Sequence, residues 1–319
     1  MIAEGCGSLH SILLRVLHRI LLSGDLPDDW KELLFIMLPK PGAGDKADPN
    51  NWRPIAILDV TYKVFAKMLD NRLKHVLDAQ QPSEQMGFRA KTGVDHALLV
   101  LECVIGKSLE WNVPVWIVSI DLKKAFDKIC YSSLFDALRE QGVDESYLAL
   151  LARLYSAQSG SIAGEASFPI RRGVRQGDIL SPALFNATLE SVLRRWKARL
   201  GHRGVLLDET QERLTNIRYA DDLLLFSKSF DEAVLMFEAL SEELARAGLS
   251  INGTKTKILT TDSSASDSDV PLLADAGGCM VEILRCDDTD KYLGILFPGD
   301  LRRRGQCNLN HRLTATFGY

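Results

Sequence analysis

Tyr219-Ala220-Asp221-Asp222 sets two adjacent carboxylates between short apolar runs, Ile217 to Ala220 and Leu223 to Phe226. Charge in such surroundings is costly unless it is paired or coordinates a metal, and a hard divalent cation would compensate it. A third carboxylate, Asp121, closes the run Val113-Pro-Val-Trp-Ile-Val-Ser-Ile120; strand ends and hairpin tips are where a sheet presents side chains to a site. Mg²⁺ in particular favours one or a few carboxylates supplemented by substrate phosphates and water. Taken singly, Asp121 reads equally well as the cap of a following helix, and an Asp-Asp pair is more often an exposed turn. The chemical reading comes from their combination with the other motifs of the chain.

Elements that could position these groups are legible around them. The β-branched run ending at Ile120 predicts a strand buried on both faces. The two short runs flanking the acids predict a hairpin with Asp221-Asp222 as its two-residue turn. Helical periodicity predicts helices over 62–77, 93–109, 132–141, 145–156, 181–200 and 230–247, the fifth opened by Ser181-Pro182 and the last ended by Gly248. Leu33 to Leu38 reads as a strand, and 157–171 as a Gly/Ser-rich hairpin region. At the amino end, Leu9, Ile12, Leu13, Val16, Leu17 and Ile20 have helical spacing, with Ser8 able to cap; Arg15, His18 and Arg19 interrupt the run. An amphipathic helix packed on the body is therefore expected rather than a signal peptide. Order and type of elements together indicate an α+β protein.

Composition limits the alternatives. The chain has 319 residues, 46% hydrophobic and 25% charged, so collagen-like, disordered and disulfide-scaffold classes fall away. Apolar runs are far shorter than the ~20 residues of a membrane span. The formal net charge of −4 supplies no whole-protein field to gather nucleic acid. The charge is nevertheless divided: 169–204 carries eight Lys or Arg against two acids, and 262–290 carries eight acids against one Arg. The six cysteines show no metal or disulfide spacing and read as reduced thiols of an intracellular protein. Residues 261–278 have the composition of a solvated loop.

The ordered motifs resemble those of the reverse transcriptases of non-LTR (LINE-type) retrotransposons. In chain order they are Leu38-Pro-Lys-Pro41, Trp52-Arg-Pro-Ile55, Tyr62-Lys63, Gln85-Met-Gly-Phe-Arg89, Ser119-Ile-Asp-Leu-Lys-Lys-Ala-Phe-Asp127, Arg175-Gln-Gly-Asp-Ile-Leu-Ser-Pro182, Tyr219-Ala-Asp-Asp222, Gly248-Leu-Ser-Ile-Asn252 with Lys255, and Tyr292-Leu-Gly-Ile295. The resemblance implies a right-hand polymerase with fingers and palm, the palm an antiparallel sheet backed by helices, the thumb absent or truncated. It implies blocks at 1–37 (helical extension), 38–112 (fingers), 113–260 (palm), 261–290 (acidic Ser/Asp-rich loop) and 291–319 (primer-contacting hairpin and start of a thumb).

The same resemblance implies roles. Asp121 and Asp221 would bridge two Mg²⁺ ions, with Asp222 completing the cluster and Mn²⁺ a substitute. Arg53, with Lys40, would clamp the nucleotide triphosphate, a task suited to a planar guanidinium. Phe126, five residues after Asp121, would be the gate against a 2′-hydroxyl; without the motif it reads as a core Phe on a helix. Gln176 and Gly177 would meet nucleotide or template, Arg171, Arg172 and Arg175 nucleic-acid phosphates, Lys255 the pyrophosphate as proton donor, and Tyr292 and Gly294 the primer. The implied activity is RNA-directed DNA synthesis during retrotransposition, with RNA template, DNA primer, deoxynucleoside triphosphates and other domains of the same polyprotein as partners, no membrane, and a nuclear and cytoplasmic location. A catalytically silent relic or RNA-binding module, and a group II intron maturase, are the alternatives.

Overall fold

The computed structural model describes residues 7–40, 45–162, 165–206, 213–262, 273–274, 280–284, 289–298 and 300–317. In chain order the first elements are α1 (Gly7–Ser23), β1 (Glu32–Pro39), β2 (Trp52–Ile57), α2 (Val60–Gln80), α3 (Val94–Trp111), β3 (Trp116–Ile120), α4 (Ala125–Lys128), α5 (Tyr131–Glu140) and α6 (Glu145–Tyr155). Next come β4 (Gln158–Ile162), β5 (Phe168–Ile170), α7 (Ser181–Leu200), β6 (Val205–Leu206), β7 (Arg213–Leu214), β8 (Asn216–Tyr219), β9 (Asp222–Ser227) and α8 (Phe230–Arg246). The chain continues with β10 (Lys257–Thr260), β11 (Leu273–Ala274), β12 (Met280–Ile283), β13 (Thr289–Tyr292), β14 (Ile295–Pro298) and α9 (Arg304–Phe317). It forms two compact units, Met1–Gln80 with Phe126–Thr188, and Gln81–Ala125 with Leu189–Tyr319.

The first unit holds a four-stranded sheet in the order β2-β1-β4-β5. β1 is antiparallel to β2 and parallel to β4, so the Gly/Ser-rich region forms the expected hairpin and also joins the earlier strand. Apolar faces of α2 (Phe65, Leu69, Leu73, Leu77), α5 (Leu134, Leu138) and α6 (Leu148, Leu151, Leu154) supply its buried residues, as the 3.6-residue spacing predicts. α1 buries Leu17 and Ile20, while Ile12 and Val16, expected on the packed face, are exposed. The side chain of Ser8 lies outside the described residues.

The second unit is built on a six-stranded sheet, β11-β12-β10-β3-β9-β8. β3 lies inside it, antiparallel to β9 and to β10; Trp116, Ile117, Val118 and Ile120 are all buried, as expected of the β-branched run. A core of Leu101, Val104 and Ile105 from α3 with Ile117, Ile217, Leu224, Phe226 and Leu259 lies on one side. α8, capped by Ser229, which accepts from the Glu232 N–H at 3.2 Å, packs on β9 and β3. One expectation is corrected in this sheet. The segment read as a solvated acidic loop contains β12, which extends the sheet parallel to β10 (Lys257 opposite Glu282), with β11 antiparallel beside it; the rest of 263–279 and 285–288 lies outside the described residues. Acid-rich flanks had hidden the short Met-Val-Glu-Ile strand, whose backbone bonds, rather than its composition, place it.

Candidate active site

In the second unit the antiparallel register brings the acids together. Ile120 of β3 pairs with Leu223 of β9, so the next pair outward is Asp121 with Asp222. Tyr219 pairs with Asp222 across β8 and β9, which makes Ala220-Asp221 the two-residue turn. The expected turn, Asp221-Asp222, is thus displaced by one residue. The reason is conformational: the left-handed position falls on Ala220, at φ 58°, while Asp222 keeps its place in the ladder. Adjacent acids both suit turns, so composition alone did not choose between the registers.

Asp121 is held from a third segment. Its carbonyl accepts from the Asn252 N–H at 2.8 Å, its Oδ2 accepts from Asn252 Nδ2 at 2.9 Å, and its N–H donates to Thr256 Oγ1 at 3.4 Å. Leu122 bridges to Ile251 in the same stretch. Its side chain is committed to Asn252 rather than to capping a helix. Asn252 closes the Gly248-Leu-Ser-Ile motif, which was the available signal for its role.

Asp222 feels this crowding. Desolvation by the protein around it, then the charges of Asp221, Asp121 and Asp290, push its carboxyl up to about 6, even though the residue stays open to solvent. Asp290 of β13 is a fourth acid near the cluster; it sits in the stretch read as a loop, where no sequence signal set it apart. Beneath the hairpin, Arg218 is fully buried and donates to Glu190 and to Asn216 Oδ1, the latter at 3.3 Å. Burial draws its guanidinium below the usual arginine range, against the pull of Glu190. Removing Glu190 would leave the buried Arg218 charge without its ion-pair partner, whereas Glu190 itself is also paired with Arg194 at 2.7 Å.

The donor set suits a hard divalent cation: the carboxylates of Asp121, Asp221 and Asp222 stand at the open end of an apolar hairpin, and the charges of Asp221 and Asp121 help raise the Asp222 carboxyl. Among the described residues, no three His, Cys, Asp or Glu side chains form a ready-made metal cage.

Other expected site residues of this unit are dispersed. Lys255 is exposed just after Asn252, its N–H donating to the Asn252 carbonyl at 3.1 Å. Leu293-Gly294 is the turn between β13 and β14, both residues at positive φ, with Gly294 exposed. Tyr292 is only 4% exposed and belongs to the apolar core, so the expected primer contact is corrected for its side chain. Burial and the Asp222 charge raise its phenol.

The remaining candidates lie in the first unit. Arg53 is exposed on β2 opposite Leu38, and Lys40 follows β1, its N–H donating to the Asn51 carbonyl at 2.8 Å. Phe126 is half-buried and stacks on Phe185, ring centroids 4.6 Å apart and planes within 9°. Gln176 donates through Nε2 to Asp127 Oδ1 at 3.0 Å, and its carbonyl accepts from the Ala56 N–H at 2.9 Å. Gly177, at φ 100°, comes so near β2 that a Cβ would sit 3.2 Å from the Ala56 carbonyl oxygen, which explains a glycine there. Arg171 and Arg172 are exposed.

Arg175 departs from expectation. It is 4% exposed, lies over the rings of Tyr62 and Tyr155 at 5.0 and 5.6 Å, and donates from Nε to Gln158 Oε1 at 2.8 Å. Instead of a phosphate contact it is an internal brace, anchoring the loop that carries Gln176. Tyr62 also donates to the buried Asp178, so Tyr62 and Asp178, both within matched motifs, share this brace.

Comparison with known proteins points one way. The family described as "Reverse transcriptase (RNA-dependent DNA polymerase)" matches residues 38–297. A Pol polyprotein from the type-1 retrotransposable element R2 of Popillia japonica is 31% identical over 252 residues, covering 76% of this chain and 34% of that protein. The Pol polyprotein of the type-2 element R2DM from Drosophila melanogaster is 27% identical over 305 residues, covering 93% and 28%. The chain thus spans about a third of the length of the curated relatives it matches. Among solved structures, telomerase from Candida albicans in complex with a telomeric RNA fragment superposes with a TM-score of 0.58 at 12% identity, covering 86% of this chain and 46% of that one. Apo telomerase from Candida tropicalis, truncated from its C-terminal domain, gives 0.56 at 12%, covering 86% and 55%. The α+β fold is therefore a polymerase fold.

Proposed function

The chain belongs to the reverse transcriptase family, and we propose that it is the polymerase domain of a non-LTR retrotransposon polyprotein, adding deoxynucleotides to a primer 3′-hydroxyl on an RNA template. The observation that carries this reading is the register that sets Asp121 beside Asp222, with Asp221 in the adjoining turn.

In this reading β3, β8, β9 and α8 belong to the palm (113–260) and β2 with α2 to the fingers (38–112). The reverse transcriptase family generally uses divalent metals, and Asp121, Asp221 and Asp222 would hold them, two Mg²⁺ or in substitution Mn²⁺. When bound, such ions lower the pKa of the attacking hydroxyl and steady the pyrophosphate leaving group. The primer 3′-oxygen forms its bond to the α-phosphorus as the bond to pyrophosphate breaks. The residues of the chain have separate tasks. Asn252 fixes the Asp121 carboxylate, Lys255 gives a proton to the departing pyrophosphate, and Arg53 with Lys40 binds the triphosphate. Phe126 excludes the 2′-hydroxyl, Gln176 and Gly177 meet nucleotide or template, and Arg171 and Arg172 hold nucleic-acid phosphates, with Gly294 against the primer. RNA template, DNA primer and neighbouring domains of a longer polyprotein are the partners, in the nucleus and cytoplasm. Templated primer extension with and without Mg²⁺, on the wild type and on Asp221→Asn, tests the proposal: loss in the variant with the fold retained supports it, and retained extension refutes it.

A further inference from the structure

We propose that Gln85 is a positioning residue for the carboxylate hairpin: its side-chain oxygen holds the left-handed turn at Ala220 and thereby sets the direction of Asp221 and Asp222. The inference rests on reading those aspartates as the catalytic carboxylates. Gln85 belongs to the Gln85-Met86-Gly87 stretch, a motif to which the chemistry above gives no task.

Four observations meet at this turn, all within the second unit. Ala220 has φ 58°, a conformation that a residue with a Cβ adopts reluctantly. Gln85 is fully buried, and its Oε1 accepts from the Ala220 N–H at 3.1 Å and from the Gly87 N–H at 2.9 Å. Both partners are donors, so the amide oxygen, not the nitrogen, must face them. The backbone on either side is laced to β8: the Arg218 N–H donates to the Glu84 carbonyl and the Met86 N–H to the Arg218 carbonyl, each at 2.9 Å. Glu84 is itself tied to Lys197. Finally, Gly87 approaches the turn so closely that a Cβ would lie 2.2 Å from the Ala220 nitrogen and 2.9 Å from the Tyr219 carbonyl carbon.

A segment that merely covered the edge of β8 would need only its backbone bonds. Here a buried acceptor is spent on the N–H of the residue that precedes Asp221, and a missing side chain makes room for it. Small errors in the placement of reacting groups are expensive in rate, up to about 100-fold for about 1 Å, so the clamp acts on turnover rather than on nucleotide affinity.

Three variants of the full chain test it. Gln85→Met keeps the length and removes the acceptor, Gln85→Glu keeps an acceptor, and Gly87→Ala pushes the turn. The readouts are kcat and KM for a deoxynucleoside triphosphate in primer extension, and amide hydrogen exchange of the 216–226 segment. Gln85→Met and Gly87→Ala are expected to lower kcat by about 10-fold or more with KM changed less than about threefold, and to speed exchange in 216–226 alone. Gln85→Glu is expected to recover kcat to within about threefold of the wild type. Wild-type kcat and exchange in Gln85→Met would overturn the proposal. Should Gln85→Met lose protection throughout the chain, Gln85→Glu and Gly87→Ala decide: a folded Gln85→Glu without activity, or a Gly87→Ala that leaves 216–226 unchanged, overturns it. Asp221→Asn separates the two readings. If that variant still extends primers, the catalytic assignment fails, while the exchange of 216–226 continues to judge the clamp.

Discussion

Asn252 grips Asp121 twice, backbone N–H to carbonyl at 2.8 Å and side-chain Nδ2 to carboxylate Oδ2 at 2.9 Å. One residue of the stretch after α8 thus fixes both the position and the rotamer of an acid at the end of β3. A carboxylate oriented in this way loses little on engaging a cation, whereas a free one must first be ordered. Asn252→Ala is therefore expected to lower kcat about 10- to 100-fold and to raise the Mg²⁺ concentration needed for half-maximal extension. A metal titration of both proteins checks this; an unchanged requirement would detach Asn252 from the site.

The Asp222 carboxyl, pushed up to about 6 in the folded chain, ordinarily titrates near 3.9 in an unfolded one. Between those values the folded state binds the proton more tightly, so this group makes the metal-free protein less stable as pH rises from about 4 through 6. Asp222→Asn should then raise the Tm of the metal-free protein at pH 7.5 by a small amount, on the order of 1–3 °C given solvent screening. The gap should close below about pH 4, where the group is protonated in both states. Thermal unfolding at pH 4, 6 and 7.5 in chelator reads the effect, and a lower Tm for the variant at pH 7.5 would contradict it.

Among the arginines of 171–175, burial separates two roles. Arg175→Ala removes a brace over two tyrosine rings and should cost about 3 kcal/mol of stability. Arg171→Ala and Arg172→Ala should leave Tm unchanged and each reduce the salt slope of nucleic-acid binding by about 1. Denaturant unfolding and binding measured across salt concentrations distinguish them; the opposite assignment of effects would refute the division.

Phe126→Ala is expected to raise ribonucleotide incorporation relative to deoxynucleotide. Since Phe126 also stacks on Phe185, some stability is lost as well, about 1–3 kcal/mol for a half-buried ring. The ratio of kcat/KM for the two nucleotides is the test, because a purely structural loss lowers both together. An unchanged ratio removes Phe126 from the gate.

Much of this was legible along the chain because the signals were local. The apolar run ending at Asp121 is β3, Ser181-Pro182 does open α7, and the acids do sit at a hairpin between buried strands. What escaped depends on distant partners. Arg175 reads as one more member of a basic cluster, because one of the two tyrosines beneath it, Tyr62, lies far back in the chain. Tyr292 reads as a primer contact from its motif, but the core around Phe297 and Leu301 encloses its side chain. The register at Ala220 was set by Gln85 and Gly87, whose contacts with the turn no spacing rule reveals. Asp290 and β12 lay within a stretch whose acidity and serine content read as solvent-facing, although backbone pairing gives part of it a place in the sheet.

The most direct test of the account is templated primer extension by Asp221→Asn in Mg²⁺, with circular dichroism and Tm to verify the fold. A folded variant whose extension falls by at least about 1000-fold is the predicted result. Extension within about threefold of the wild type would contradict the assignment of Asp221, and with it the reading of the hairpin as the catalytic centre.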